Sequence, residues 1–106
     1  MRLFEKKCEP VSEGSDALSQ GQIDELLPQL EGWRVIDGVK LAKDYRFKDF
    51  KQALAFVNQV GEVAEADDHH PDIYFTYGKA RLEIQTHTIS GLSENDFILA
   101  AKLDRI

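Results

Sequence analysis

The sequence predicts an α+β domain in which helices pack on an antiparallel sheet. Three observations carry this prediction. Two turn signals, Asp37-Gly38 and Gly78-Lys79, each sit between strand-like runs. Helical apolar spacing occurs before, between and after those hairpins. The length of 106 residues holds one core and one domain. The element order is α-β-β-α-β-β-α, with residues 19–106 as the domain and 1–18 as an irregular N-terminal leader.

The leader has little periodicity and brings Pro10, Ser12, Gly14 and Ser15 close together. Its Cys8, the only cysteine, reads as an unreactive thiol in a loose tail, with no disulfide framework and no CxxC motif. Ser19 followed by Gln22 is a capping-box pattern, and Ile23, Leu26, Leu27 and Leu30 then recur at helical spacing. Pro28 is too deep for a helix start, so the first helix is short.

Trp33–Ile36, the Asp37-Gly38 turn and Val39–Phe47 predict a hairpin with a type I′ turn. Val39, Leu41, Tyr45 and Phe47 share one parity of its second strand. From Asp49 to Ala66 the period becomes helical, with Phe50, Ala53, Leu54, Val57, Val60 and Ala64 as the apolar stripe. Gly61 within it costs about 1 kcal/mol relative to alanine. The second hairpin is predicted over Asp72–Tyr77 and Ala80 to about Thr88. Leu82, Ile84 and Thr86 take core parity there, while Arg81, Glu83, Gln85 and His87 point the other way. Ser93 is a good N-cap for a last helix with Leu99, Leu103 and Ile106 on its inner stripe.

Thirteen basic against 19 acidic residues give a net charge of −6. That excludes a basic face for direct nucleic-acid binding and suits a neutral or cationic small molecule, or a protein partner. No signal-peptide core and no long apolar run occurs, so no membrane span and a cytoplasmic protein are expected.

All three histidines lie between His69 and His87. Imidazole is the side chain that both gives and takes protons near neutrality. In a regular strand His69 and His70 would point to opposite faces, but Pro71 biases His70 toward an extended or turn conformation. Both rings can then be aimed at one cavity. A surface pair preceding a strand is the plainer alternative.

Glu65 precedes His69 by four residues and becomes its neighbour if the helix persists. Glu62, Asp67 and Asp68 read as a solvated helix end. Asp96, on the inward stripe of the last helix, either completes a capping box with Ser93 or serves a site. Three histidines with Glu65 and Asp96 could also hold a metal. No HExxH helix or cysteine ligand accompanies them, so acid–base chemistry fits better and no metal is expected.

The spaced pattern Glu65-x3-His69-His70-Pro71-x5-Tyr77-x9-His87-x8-Asp96 is similar to the signature of pterin-4a-carbinolamine dehydratases, also called dimerisation cofactors of a homeodomain transcription factor. Thr86-His87, Gly91-Leu92-Ser93 and Leu30-x2-Trp33 resemble the family too, and Lys7-Cys8-Glu9-Pro10 resembles its bacterial members. The resemblance implies a four-stranded antiparallel sheet with three helices on one face. It implies dehydration of 4a-hydroxytetrahydropterin to quinonoid dihydropterin, which recycles the pterin of aromatic amino acid hydroxylases, with a functional link to phenylalanine hydroxylase. It implies no metal or organic cofactor, and a homodimer or homotetramer. His69 and His87 are the implied acid–base pair, and His70 binds and orients the pterin. Glu65, Thr86, Pro71, Trp33 and Asp96 become substrate-binding or supporting positions. Similar proteins also act as transcriptional coactivators or assembly factors, so a non-catalytic binding module is the alternative.

Overall fold

The first hairpin turn forms where the sequence sets it, whereas the second falls on Tyr77-Gly78, one residue earlier than the expected Gly78-Lys79, because Lys79 already pairs with Thr76. In this computed structural model, which describes residues 2–106, Asp37 and Gly38 both have positive φ, and the Val39 N–H donates to the Ile36 carbonyl at 3.0 Å. Positive φ at both central positions is the type I′ signature. At the second turn Gly78 has φ +73°, and a Cβ there would lie 3.3 Å from the Phe47 carbonyl oxygen. Glycine is therefore required twice over, by conformation and by close approach.

The strands are β1 (Arg34–Ile36), β2 (Lys40–Arg46), β3 (Asp72–Thr76) and β4 (Lys79–Ile84). They form one sheet in the order β1-β2-β4-β3, antiparallel throughout. The helices are α1 (Gln20–Leu26), α2 (Phe50–Asp67) and α3 (Glu94–Leu103). The α+β order is therefore as the sequence predicts, with three helices on a four-stranded sheet. The register places Val35, Leu41 and Ile84 in one row and Lys43, Leu82 and Ile73 in the next. That face meets the helices, and Leu41, Leu82 and Ile84 are buried on it. On the opposite face Glu83 joins Lys40 and Arg81, whose hydrogen bonds and positive charges hold its carboxyl below the usual range.

Ser19 caps α1, its hydroxyl accepting from the Gln22 N–H, and a 3-10 turn over Leu27–Gln29 follows at Pro28. Gly61 meets nothing within 4 Å, so it is an open position in α2 and makes no close packing contact. Along α2 only Ala53, Val60, Ala64 and Asp67 are buried, whereas Phe50 and Leu54 are exposed. α3 behaves differently, for every residue from Asn95 to Ala101 is buried. A helix apolar on nearly all sides must be covered on more than one side. The leader supplies that second cover.

Four expectations are corrected here. The leader is not loose at Cys8: Leu3 sits in a 3-10 turn (Leu3–Glu5), and both Leu3 and Cys8 belong to the core. β4 stops at Ile84, because Thr86 turns to bridge Gly91 and His87–Ile89 forms a 3-10 turn. His87 therefore has no strand parity. A Cβ at Gly91 would come within 2.9 Å of the Ala17 Cβ, so this turn packs directly on the leader. Ile106 is exposed, lying past the end of α3, and does not continue its inner stripe.

Candidate active site

α2 ends at Asp68, which adopts a left-handed conformation with φ 50° and gives its N–H to Ala64 and Glu65 carbonyls. That residue breaks the helical spacing on which a Glu65–His69 contact depends. Instead the chain reverses, and the Glu65 Oε1 meets His70 Nε2 at 2.8 Å. His69 turns inward, its Nε2 lying 2.6 Å from the Asp96 Oδ1. The expected Glu65–His69 neighbourhood is thus corrected to two separate pairs. Pro71 restricts the backbone between His70 and β3 and does not line the cleft.

Asp96 is fully buried at the third position of α3. Its Oδ2 accepts the Ser93 backbone N–H at 2.8 Å and the Thr86 hydroxyl at 2.8 Å. Its Oδ1 takes the His69 ring. Capping and site roles are therefore not alternatives: one oxygen caps the helix and the other orients an imidazole. A carboxylate already holding two donors receives a third, so the His69 proton sits on Nε2 and Nδ1 stays available. Thr86 spends its single proton on Asp96, so the Ser93 hydroxyl donates to the Thr86 Oγ1 at 2.6 Å.

His87 begins the turn after Thr86 and is exposed, with no ring hydrogen bond among the described residues. The three histidines meet at one cleft of about 350 Å³. Gln85, Thr86 and Thr88 flank His87, Asp67 and Asp68 precede the histidine pair, and Cys8–Val11 with Asn95 form the remaining wall. One ring is locked by a buried carboxylate, one is loosely paired at the surface and one is free. That arrangement can hold a flat polar ligand and move protons at two of its atoms.

Burial pushes the Cys8 thiol up to about 12, with the nearby Asp67 carboxylate adding to the shift. Such a thiol is inert, as expected, although it is not in a tail. Asp67 also departs from its expected solvated setting. It is buried and receives Lys102 Nζ at 2.6 Å. Burial works to raise its pKa, but the hydrogen bond and charge of Lys102 hold the carboxyl below the ordinary range. Trp33 is not brought to the cleft. Its Nε1 donates to the Asp104 Oδ1 at 2.8 Å, and Lys43 joins the same carboxylate at 3.0 Å.

Cys8–Val11, Gln85 and Asn95 are lining residues that the sequence reading missed. The signal for the leader was the nearly all-apolar α3, which one sheet cannot cover. One group among the described residues has metal-ligand geometry: Glu65, Asp68 and His70 place ligand atoms within 4.8 Å of one another, all three residues exposed. His69 and His87 are outside it. No described helix is long and apolar enough to cross a membrane.

The family model described as pterin 4 alpha carbinolamine dehydratase matches residues 16–106. A Rubrobacter xylanophilus protein named "putative pterin-4-alpha-carbinolamine dehydratase" is 47% identical over 104 residues, covering 98% of this chain and 97% of that relative. A Halorhodospira halophila protein of the same name is 47% identical over 107 residues, covering 100% of this chain and 98% of the relative. A solved structure from Brucella melitensis, described as a transcriptional coactivator/pterin dehydratase, is 32% identical with a TM-score of 0.79. It covers 85% of this chain and 97% of its own. A pterin dehydratase-like protein described as a RuBisCO assembly factor in the alpha-carboxysome shares the fold at 24% identity and a TM-score of 0.61, covering 73% of this chain and 90% of its own.

Proposed function

The chain belongs to the pterin-4-alpha-carbinolamine dehydratase family, and from that premise we propose that it dehydrates 4a-hydroxytetrahydropterin to quinonoid dihydropterin in the cytoplasm. The observation that carries this reading is the convergence of His69, His70 and His87 on one cleft, with His69 held by a buried carboxylate. The reaction breaks the bond from C4a to its hydroxyl and removes a proton from a ring nitrogen, so that water leaves. An imidazolium protonates the departing hydroxyl, and a neutral imidazole accepts the nitrogen proton. Each transfer is worth about 10²–10⁴-fold in rate. His69 and His87 take these two roles, and His70 binds and orients the ring. Asp96 and Thr86 position His69, and Glu65 steadies His70. The reading makes the protein a recycler of the pterin of aromatic amino acid hydroxylases, with a functional link to phenylalanine hydroxylase. The decisive experiment generates the 4a-hydroxypterin freshly and follows its loss with and without protein. No acceleration over the spontaneous rate overturns the reading.

Assembly belongs to the same proposal. β3 is an edge strand, and Ile73, Tyr74 and Tyr77 on this hairpin are exposed, as are Phe50 and Leu54 on α2. Unpaired edges and apolar surface of this kind favour association. A homodimer or homotetramer is the expected state, and light scattering that reports an active monomer refutes it. These exposed residues also favour the second reading, a binding module. It predicts an associating protein without turnover.

A further inference from the structure

The family match begins at residue 16, yet one wall of the cleft lies ahead of it. Cys8, Glu9, Pro10 and Val11 reach the cleft because Asn95 holds them there. The Asn95 Nδ2 donates to the Glu9 carbonyl at 2.6 Å, and its Oδ1 accepts the Glu9 N–H at 2.9 Å, a pairing like that of a strand. The Cys8 Sγ donates to the Asn95 carbonyl at 3.5 Å, and Lys7 Nζ ties the same segment to the Ala66 carbonyl. Asn95 is buried and adjoins Asp96, so the latch stands on the rigid helix that also orients His69.

The wall has a charge as well as a shape. Glu9, Asp67 and Asp68 line the cleft, and among the described residues no lysine or arginine does. Lys102 neutralises Asp67, whereas Glu9 and Asp68 are exposed and have no ion-pair partner among the described residues. The cleft volume of about 350 Å³ is near the lower end of the roughly 300–1,000 Å³ range of ligand pockets. It has room for a bicyclic ring and a short substituent.

We propose that Cys8–Val11, latched by Asn95, is the specificity wall of the cleft, admitting pterins with a short uncharged substituent and repelling those that carry phosphate. The discrimination works through repulsion of the wrong ligand rather than new contacts to the right one. This rests on the dehydratase reading, and its test keeps the two separable. The full chain is titrated calorimetrically with two stable 7,8-dihydropterins, one with a neutral dihydroxypropyl substituent and one with a phosphorylated substituent. Wild type binds the neutral compound about tenfold more tightly, as expected for close like charge at a solvated rim. Glu9→Lys, at an exposed position where folding is not at stake, cuts that ratio to about threefold or less. Asn95→Ala frees the wall, so it raises KM for the neutral substrate proportionally more than it lowers kcat. Equal affinities in wild type, an unchanged ratio in Glu9→Lys, or a loss confined to kcat in Asn95→Ala each overturn the wall. If turnover persists in wild type while discrimination is missing, the wall alone falls. Absence of both turnover and pterin binding removes the dehydratase reading and the wall together.

Discussion

His69 and His70 are adjacent, chemically identical and each paired with a carboxylate, at 2.6 and 2.8 Å. Their settings are nevertheless opposite. The His69 side chain is 14% exposed and Asp96 0%, while His70 and Glu65 are 56% and 78% exposed. Water competes for the second pair at every atom, so its contribution to stability is of order 0–1 kcal/mol. The first pair is largely shielded from water, and Asp96 is further committed to Ser93 and Thr86. Removing a partner there strands buried donors, at about 1–3 kcal/mol for each. Burial, rather than contact distance, separates a ring that is positioned from one that is merely accompanied.

Asp96→Asn tests the comparison most severely. The amide keeps the shape and can still accept from Ser93 and Thr86, but it presents N–H to His69 and forces the other tautomer. We expect kcat to fall at least about a hundredfold, by the same logic that makes a wrong histidine tautomer costly in catalytic triads. Wild-type turnover in a folded Asp96→Asn variant breaks the claim that this pair is the ordered one. His69→Ala and His87→Ala come next, each lowering turnover at least about tenfold with the fold intact. Steady-state kinetics alongside circular dichroism decide this, and a fully active double mutant sinks the acid–base assignment.

Asp67 lies between the extremes, buried beside Cys8 yet matched by Lys102. Asp67→Asn should destabilise by about 2 kcal/mol, less than a fully buried pair because Lys102 is partly exposed. Its carboxyl is held below its unfolded pKa, so its stabilisation is complete above about pH 4 and is lost as pH falls through the folded value. Thermal melts should therefore show the wild-type and Asp67→Asn curves converging with acidification. A gap that widens toward low pH contradicts the sign.

Smaller effects belong to the exposed pair. Glu65→Gln should change stability by less than about 1 kcal/mol, and His70→Ala should raise KM more than it lowers kcat. A pure kcat loss in His70→Ala would mean that the roles of the adjacent histidines are wrongly divided. Exhaustive chelation should leave activity unchanged, since the Glu65–Asp68–His70 group is exposed and excludes His69 and His87. Activity lost on chelation and restored by one metal would move the chemistry to the exposed side.

Several elements were legible because their signals are local. Ser19 with Gln22, Asp37-Gly38, Pro28, Gly78 and Ser93 act within a few residues, and each does what its type implies. Alternation along β2 and β4 placed Leu41, Leu82 and Ile84 in the core. The extension of β4 to Thr88 failed because the Thr86–Gly91 bridge closes a turn on Ala17, a contact distant in sequence. Trp33 lies away from the cleft, its ring nitrogen bound to Asp104 at the far end of α3, a partner 71 residues on that no local pattern shows.

The sequence by itself determined the order of elements, the type I′ turn at Asp37-Gly38, the three histidines and the presence of a carboxylate at Asp96. Only the tertiary structure decided which carboxylate meets which histidine and that the leader walls the cleft. The reason is physical. Periodicity and turn chemistry are properties of neighbouring dihedrals, whereas the left-handed break at Asp68 and the burial of Asp96 arise only when α2, α3 and the leader pack together.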